Sequence, residues 1–357
     1  MTNRSAAIRA VLALGLALGS PLGCSRDEKT AEARAATIDA PRTAPPRTGF
    51  METEVLPIDR IYHSMEGPAN RIEVAHANLQ WVTAIRAEVI DDVTRQKMGD
   101  EFFCHSQLQL LNGTRLLVMA TGADEIRFPS GFAMPVAEIL QGLPIDQRAL
   151  TFVGMVLNNH EPEIDRLTRV RATVEFHLDQ DFGAAPRPKK LYPTNLTMFV
   201  KDLKEYDPTA VNDDVTTHCA LVGELPLHWM VPPGKQKTRY RYQDFAPEGR
   251  VHFGWVHMHN FGVYMRLTDV TTGELLWQAD VEHEAQRDQI AKISHYSSVE
   301  GFLLRPDHVY EIEALYDNTT DHDINAMAMM MLYYHPRDDV SITFPGGTIT
   351  QPAALVR

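Results

Sequence analysis

The chain has 357 residues, of which 44 % are hydrophobic, and a formal net charge of −13 at pH 7. This length and composition allow two domains with hydrophobic cores, whereas a mean hydropathy of −0.24 argues against a protein that crosses a membrane repeatedly. The acidic balance argues against nucleic acid as a partner, because the phosphate backbone attracts basic surfaces.

Residues 1–24 have the pattern of a bacterial lipoprotein signal peptide. Arg4 and Arg9 precede a short apolar stretch, which ends at Gly23-Cys24. The stretch is too short to span a membrane stably. We therefore expect lipidation on Cys24, which would anchor the mature chain to the periplasmic face of a bacterial membrane. Simple secretion is the alternative.

Residues 25–50 are rich in Ala, Arg, Thr and Pro and show no periodicity, which predicts a disordered linker. At the other end, residues 346–357 are predicted to be a tail.

From residue 51 onward the sequence is typical of short strands separated by turns. Asn112-Gly113 lies between two apolar runs, as in a tight hairpin. The main strand candidates are 79–89, 108–118, 151–157, 170–178, 251–265, 265–278 and 309–316, and the segment 251–265 is either a pair of strands or one bent strand. Helical candidates are limited to 135–142 and part of 282–293. This pattern predicts an all-β fold of two tandem jelly-roll β-sandwich domains, at residues 51–166 and 167–345.

The most informative motif is Val256-His257-Met258-His259. Two histidines at positions i and i+2 of a strand point to the same face and can close on one ion. Met327 and Met329 lie in a Met-rich strand further along the chain. Imidazole together with a thioether favours copper. We therefore predict an open copper site formed by His257, His259 and Met327, with Met329 as the competing sulfur ligand. A polar strand face and core-filling methionines are the structural alternative.

Several motifs occur in an order that resembles a known family. They are His228-Trp229-Met230-Val231-Pro232-Pro233-Gly234, Val256-His257-Met258-His259-Asn260-Phe261-Gly262, Tyr316-Asp317-Asn318 and the Met-Tyr-Tyr strand ending at Tyr334. This set is similar to the copper type II, ascorbate-dependent monooxygenases, the group of peptidylglycine α-hydroxylating and dopamine β-monooxygenases. The resemblance implies two jelly-roll domains with one copper centre each, and it implies that His257, His259 and Met327 are catalytic.

The resemblance also implies an electron-transfer copper in the first domain. The matching residues are Cys104 and His105, where the family has a His-His pair. The third ligand would be His160, although strict register gives Leu157. A disulfide between Cys104 and Cys219 is the alternative role for this thiol.

The function implied is hydroxylation of a C–H bond in a small organic substrate by O2, with a reductant such as ascorbate. Trp255 and Met330 stand where peptide-amidating members have an Arg and a Tyr, so an apolar or aromatic substrate is expected. The alternative is a non-catalytic periplasmic copper-binding lipoprotein that serves as a store, a chaperone or an interaction module.

Overall fold

The computed structural model describes residues 43–62, 66–75, 79–198, 228–242, 248–285 and 289–337, together with the backbone of 342–344 and 347–349. The predicted signal peptide with Cys24, most of the predicted linker, and Cys219 lie outside the described residues.

The first half of the chain forms a β-sandwich of two antiparallel-rich sheets. Its strands are β1 (Arg47–Glu52), β2 (Leu56–Ile58), β3 (Ala69–Val74), β4 (Trp81–Asp91), β5 (Phe103–Leu110), β6 (Arg115–Ala120), β7 (Glu125–Arg127), β8 (Phe132–Pro135), β9 (Leu150–Val156), β10 (Arg166–His177) and β11 (Lys189–Lys190). One sheet has the order β1-β10-β4-β8-β11, with β2 and β7 paired at its sides, and the other has the order β3-β9-β5-β6. One helix, α1 (Val136–Gln141), follows β8, and 3-10 turns lie at Asp100–Phe102, Ile145–Gln147 and Asp179–Phe182.

The second half forms another sandwich. Its strands are β12 (Tyr192–Thr197), β13 (Trp229–Val231), β14 (Gly234–Tyr242), β15 (Gly249–Met258), β16 (Gly262–Asp269), β17 (Glu274–His283), β18 (Ile290–Ile293), β19 (Tyr296–Leu304), β20 (Tyr310–Asn318), β21 (Ile324–Ala326), β22 (Ala328–Pro336), β23 (Ile342–Phe344) and β24 (Gly347–Ile349). The two main sheets have the orders β12-β22-β15-β19 and β14-β20-β16-β17-β18, and β13-β21 and β23-β24 are separate pairs.

The predicted all-β fold of two jelly-roll sandwiches is thus confirmed. Strand β10 shows why the pattern is readable, since Val170, Ala172 and Val174 are buried while alternate residues face outward. By contrast, β15 and β22 are buried at nearly every position, because they are neighbours in the middle of their sheet. Their pairing positions the residues discussed below.

Several boundaries differ from the sequence-based ones. Strand β1 begins at Arg47, inside the predicted linker, because residues 47–52 pair with residues 171–176 of β10. The predicted domain boundary at 166/167 falls inside β10, and this strand pairs with β4 of the first sandwich. Strand β24 lies in the predicted tail.

One local prediction was also wrong. The helical candidate in 282–293 is instead the end of β17 and the strand β18, which pair with each other. Cross-strand pairing has outweighed local helix propensity there. Of the two alternatives for 251–265, the structure has two strands, β15 and β16, and they belong to different sheets. The Asn-Gly hairpin and the helix at 136–141 are confirmed.

Among the described residues, no helix has the length and apolar character needed to cross a membrane.

Candidate metal centre

His257 lies near the end of strand β15, and His259 is the first residue after the strand. Both side chains are buried, and their ring centres are 5.3 Å apart. The two histidines are held at the junction with β22, where His257 lies opposite Met329 and the backbone N–H of His259 donates to the carbonyl of Met327 at 3.3 Å. Residues directly opposite each other in a sheet present their side chains on the same face.

The two candidate sulfur ligands have different surroundings. The guanidinium group of Arg115 donates a hydrogen bond from Nη1 to the sulfur of Met329 at 3.3 Å. This contact occupies a sulfur lone pair and places a positive charge next to it, which disfavours a bound cation. Met327 is also buried and lies beside His259. The surroundings therefore favour Met327 over Met329 as the sulfur donor.

A third histidine stands next to the pair, and sequence reasoning gave it no role. His228 immediately precedes β13, and its ring centre is 5.0 Å from that of His259. The pairing of β13 with β21 brings Asn325 alongside, where its side-chain oxygen accepts a hydrogen bond from Nδ1 of His228 at 2.7 Å. The backbone carbonyl of Asn325 accepts one from Nδ1 of His259 at 3.2 Å. The sequence feature that could have pointed to His228 is its position at the start of the motif that contains Pro-Pro-Gly.

Burial keeps these imidazoles neutral. Desolvation, followed by the charge of neighbouring histidines, lowers the pKa of His257 well below its ordinary value and that of His259 to about 3. Desolvation likewise lowers the pKa of His228. For His105, desolvation and the nearby Arg115 lower the pKa to about 4. Neutral imidazole is the form that binds metal ions, so the ligands would have no proton to release near pH 7.

Two ring nitrogens of this group, Nε2 of His228 and Nδ1 of His257, are buried and have no hydrogen-bond partner among the described residues. A buried polar atom without a partner costs free energy, so each one needs a physical explanation, of which a bound ligand or ion is one.

His257 and His259 border a cavity of about 400 Å³. The cavity wall combines polar groups and soft sulfur donors with apolar side chains. The lining residues include Cys104, Leu157, Met230, His257, His259, Asn260, Phe261, Ile290 and Asn325. The volume is in the range of pockets that hold small organic ligands.

The residues predicted for a first-domain centre are only partly brought together. Cys104 lines the same cavity, and Nδ1 of His105 lies 3.4 Å from its sulfur. The register of β5 against β9 shifts between Phe103 and His105, and such a bulge re-aims neighbouring side chains. His105 is near enough to lower the pKa of both His257 and His259.

His160 does not join them. Its ring packs against Phe102 at 5.5 Å, and its Nε2 lies 3.7 Å from Glu161, while Leu157 and Asn159 line the cavity instead. In the part of the chain that the structure describes, no group of three or more His, Cys, Asp or Glu side chains is arranged to hold a metal ion. The predicted set of Cys104, His105 and His160 is therefore not assembled. The absence of such a group does not test the set of His257, His259 and Met327, because this set contains only two histidines and methionine is not one of the four residue types considered.

Comparisons with known proteins give a different picture from the sequence motifs. No family model matches the chain, and no curated protein matches it. Among solved structures, the chain is similar to VP54 of PBCV-1, fitted into a reconstruction of the virophage Sputnik, at a TM-score of 0.34 and 10 % identity over 87 % of this chain and 98 % of that one. It is also similar to PNGase F, a glycosylasparaginase from Flavobacterium meningosepticum, at a TM-score of 0.38 and 8 % identity over 81 % and 96 %.

These likenesses are too weak to carry an argument about activity. None of them is a copper monooxygenase, and no family model supports the resemblance seen in the motifs. The assignment of this chain to the copper type II, ascorbate-dependent monooxygenases is therefore wrong. The His, Met and cavity arrangement has to be interpreted from its own chemistry.

Proposed function

We propose that His257, His259 and Met327 bind a copper ion at the wall of the cavity, and that the protein oxidises a C–H bond of a small organic substrate there. The observation that supports this most directly is the pair of buried imidazoles with ring centres 5.3 Å apart at the end of β15, where the backbone N–H of His259 donates to the carbonyl of the buried Met327. The proposal rests on these residues and on no family membership.

The donor set favours copper over other metals. Thioether sulfur is a soft ligand that suits Cu(I), whereas zinc, magnesium and calcium are bound by thiolates, imidazoles or oxygen ligands. A bound copper ion would supply the O2 chemistry that places one oxygen atom in the substrate, with electrons from a reductant such as ascorbate.

The protein itself would bind the substrate and exclude water from the cavity. Leu157, Phe261 and Ile290 give the cavity apolar walls, while Asn260 and Asn325 offer hydrogen-bonding groups close to the histidines. Such a lining suits a small apolar or aromatic substrate whose single polar group fixes its orientation. The proposed partners are therefore O2 and this substrate, with a membrane contact through lipidated Cys24 at the periplasmic face.

A second function, copper storage or delivery without turnover, is favoured by the number of soft groups at the cavity. Cys104 and Met230 lie on its wall in addition to the proposed ligands. Thiolate and thioether groups hold Cu(I) and could pass the ion between them.

Copper content of the purified mature protein, reconstituted with Cu(I) without oxygen, tests the proposal. We expect one ion per chain, lost in His257→Ala and kept in the distant control His308→Ala. A second ion that is lost only in His105→Ala would extend the site to the first sandwich. No bound copper in the wild-type protein would overturn the proposal.

O2 uptake separates the two functions. The copper-loaded protein would be mixed with ascorbate and a panel of small alkylbenzenes, and the products analysed by mass spectrometry. Incorporation of one atom of labelled O2 supports the oxygenase. Tight copper binding without any incorporation across the panel favours storage or delivery.

A further inference from the structure

A separate pocket of about 460 Å³, the Arg250 pocket, lies where the two sandwiches meet. Lys189 of β11 lines it from the first sandwich, and residues of β15, β19 and β22 line it from the second. It shares no lining residue with the cavity at His257. Its volume is in the range of pockets that hold small organic ligands, and such pockets occur preferentially at domain interfaces.

The sheet of the second sandwich places an arginine in the middle of this pocket. Arg250 lies opposite Leu303 of β19 on one side and opposite His335 of β22 on the other, so the three side chains share one face. Nη1 of Arg250 donates to the backbone carbonyl of Gly301 at 3.0 Å. Nε and Nη2 make no hydrogen bond within the described residues, and no carboxylate there pairs with this guanidinium group. They form the planar fork that binds carboxylate or phosphate oxygens in pairs.

A β-bulge brings a buried histidine to the same pocket. His252 is the extra residue of β15 between Val251 and Phe253, where the register shifts against both neighbouring strands, and bulges re-aim side chains in this way. The side chain is held on both sides. Its ring centre lies 4.1 Å from that of Phe132, and Nδ1 donates to the backbone carbonyl of Ser298 at 3.0 Å.

The contacts of His252 leave one of its ring nitrogens for a ligand. A carbonyl can only accept, so Nδ1 carries the proton. Desolvation, together with the nearby cationic groups of Lys189 and Arg250, lowers the pKa of His252, so the ring is neutral near pH 7 and Nε2 is an acceptor. His335 lies 6.5 Å away between ring centres and also donates through Nδ1, to the carbonyl of Lys190 at 2.9 Å. Both rings are thus oriented by the backbone.

The charges of the pocket favour an anion. Three cationic side chains line it, and one of them, Arg337, is paired with Glu248 at 2.8 Å. Lys189 is exposed, lies with Nζ 5.6 Å from the ring centre of Phe132, and has no carboxylate partner within the described ranges. Only the exposed Glu300 remains to oppose Lys189 and Arg250. Such an excess of positive charge in a chain with a net charge of −13 is a local feature that attracts oxyanions.

We propose that the Arg250 pocket binds a small organic anion that carries hydroxyl groups, of the class of sugar phosphates and sugar acids. The phosphate or carboxylate would be held by the guanidinium group of Arg250 and the ammonium group of Lys189. A hydroxyl group would donate to Nε2 of His252. An inorganic ion would fill only a small part of the volume and would leave this acceptor without a donor. The site is independent of the proposed copper site.

Isothermal titration calorimetry on the purified protein without added metal tests the proposal. The probes are glucose 6-phosphate and gluconate, with glucose and inorganic phosphate as the two halves of the first probe. We expect at least one of the anionic sugars to bind more tightly than glucose or phosphate, and the comparison of the two anions tells a phosphate site from a carboxylate site. No binding of either anion would overturn the proposal, and phosphate binding as tight as that of glucose 6-phosphate would mean an adventitious ion only.

Three variants locate the site. Arg250→Gln and Lys189→Gln change exposed side chains, and each should weaken binding of the anionic sugar about tenfold, the usual effect of losing a charge-assisted hydrogen bond. Arg241→Gln removes the same charge from an exposed arginine of β14 that pairs with Glu311 outside the pocket, and it should leave binding unchanged. Circular dichroism would verify that all three fold. Equal affinities in the three variants and the wild type would show that the anion binds elsewhere and would overturn the assignment, whatever the outcome of the copper experiments.

Discussion

The hydroxyl group of Tyr316 donates a hydrogen bond to the backbone carbonyl of Met327 at 2.5 Å. The same oxygen accepts one from the backbone N–H of His259 at 3.1 Å. Tyr316 is fully buried in β20, which belongs to the sheet facing β15 and β22. One side chain thus holds two of the proposed ligands in fixed relation from across the sandwich.

Tyr316→Phe should therefore weaken both the fold and the site. The variant leaves a buried carbonyl and a buried N–H with one partner fewer each, which costs about 1–3 kcal/mol in the free energy of unfolding. We also expect weaker Cu(I) binding. Urea unfolding and copper competition would measure the two effects.

The control for Tyr316→Phe is Tyr310→Phe. The Tyr310 hydroxyl group is also buried and accepts a hydrogen bond from the backbone N–H of Arg305 at 2.7 Å, away from the cavity. This variant should lose stability and keep its copper affinity. Equal copper affinities in the two variants would show that Tyr316 does not position the site.

The two methionines can be separated by substitution. Met327→Leu should lower Cu(I) affinity by about tenfold or more, since it removes the proposed sulfur donor at nearly constant volume. Met329→Leu should change affinity little, because Arg115 already engages that sulfur. The sulfur signal in X-ray absorption should disappear only in the first variant. Its loss in Met329→Leu would reverse the assignment.

The stability of the metal-free protein should depend on pH in the histidine range. Burial holds the pKa of His105 at about 4 in the folded state, below the ordinary value of about 6.5. Between these values the unfolded chain binds more protons, so stability is complete above pH 6.5 and falls as the pH drops toward 4. His105 alone accounts for roughly 3 kcal/mol at most.

Urea unfolding of the metal-free protein at a series of pH values would measure this loss. His259 and His257 should add to it in the same direction, since their pKa values are also lowered. His105→Gln should reduce the slope. A free energy of unfolding that stays constant from pH 6.5 to 4.5 would contradict burial of these groups as neutral imidazoles.

Gly122 should be sensitive to the smallest added side chain. Its φ of +75° is in the left-handed region, and a Cβ would lie 2.5 Å from Cγ2 of Ile290, which lines the cavity. Gly131 has a φ of +85° and nothing within 4 Å of its Cβ position. Gly131→Ala therefore measures the backbone strain alone.

Gly122→Ala should cost about 1–3 kcal/mol more than Gly131→Ala in the free energy of unfolding, because Ile290 and its strand must shift. Thermal or urea unfolding of both variants would give the difference. Equal costs would mean that β18 packs loosely against the loop at Gly122 and does not form a rigid wall of the cavity.

The sequence by itself determined the fold class, and it predicted one pair of candidate site residues. Alternation along β10, the Asn112-Gly113 turn and the spacing of His257 and His259 are local patterns, and a strand displays them in its own residues. Local patterns gave the wrong secondary structure at β18, where pairing with β17 decided that the segment is a strand. They also missed β1, a strand from outside the expected domain that pairs with β10.

Only the tertiary structure decided which distant groups meet around His259. His228, Asn325 and Tyr316 come from three different strands or strand ends, and no spacing along the chain relates them to His259. The spacing along the chain also does not relate Arg115 to Met329, and the contact between them is what distinguishes Met329 from Met327 as a sulfur donor. Burial likewise sets the protonation of the histidines, because desolvation depends on what packs around a ring and not on its neighbours in sequence.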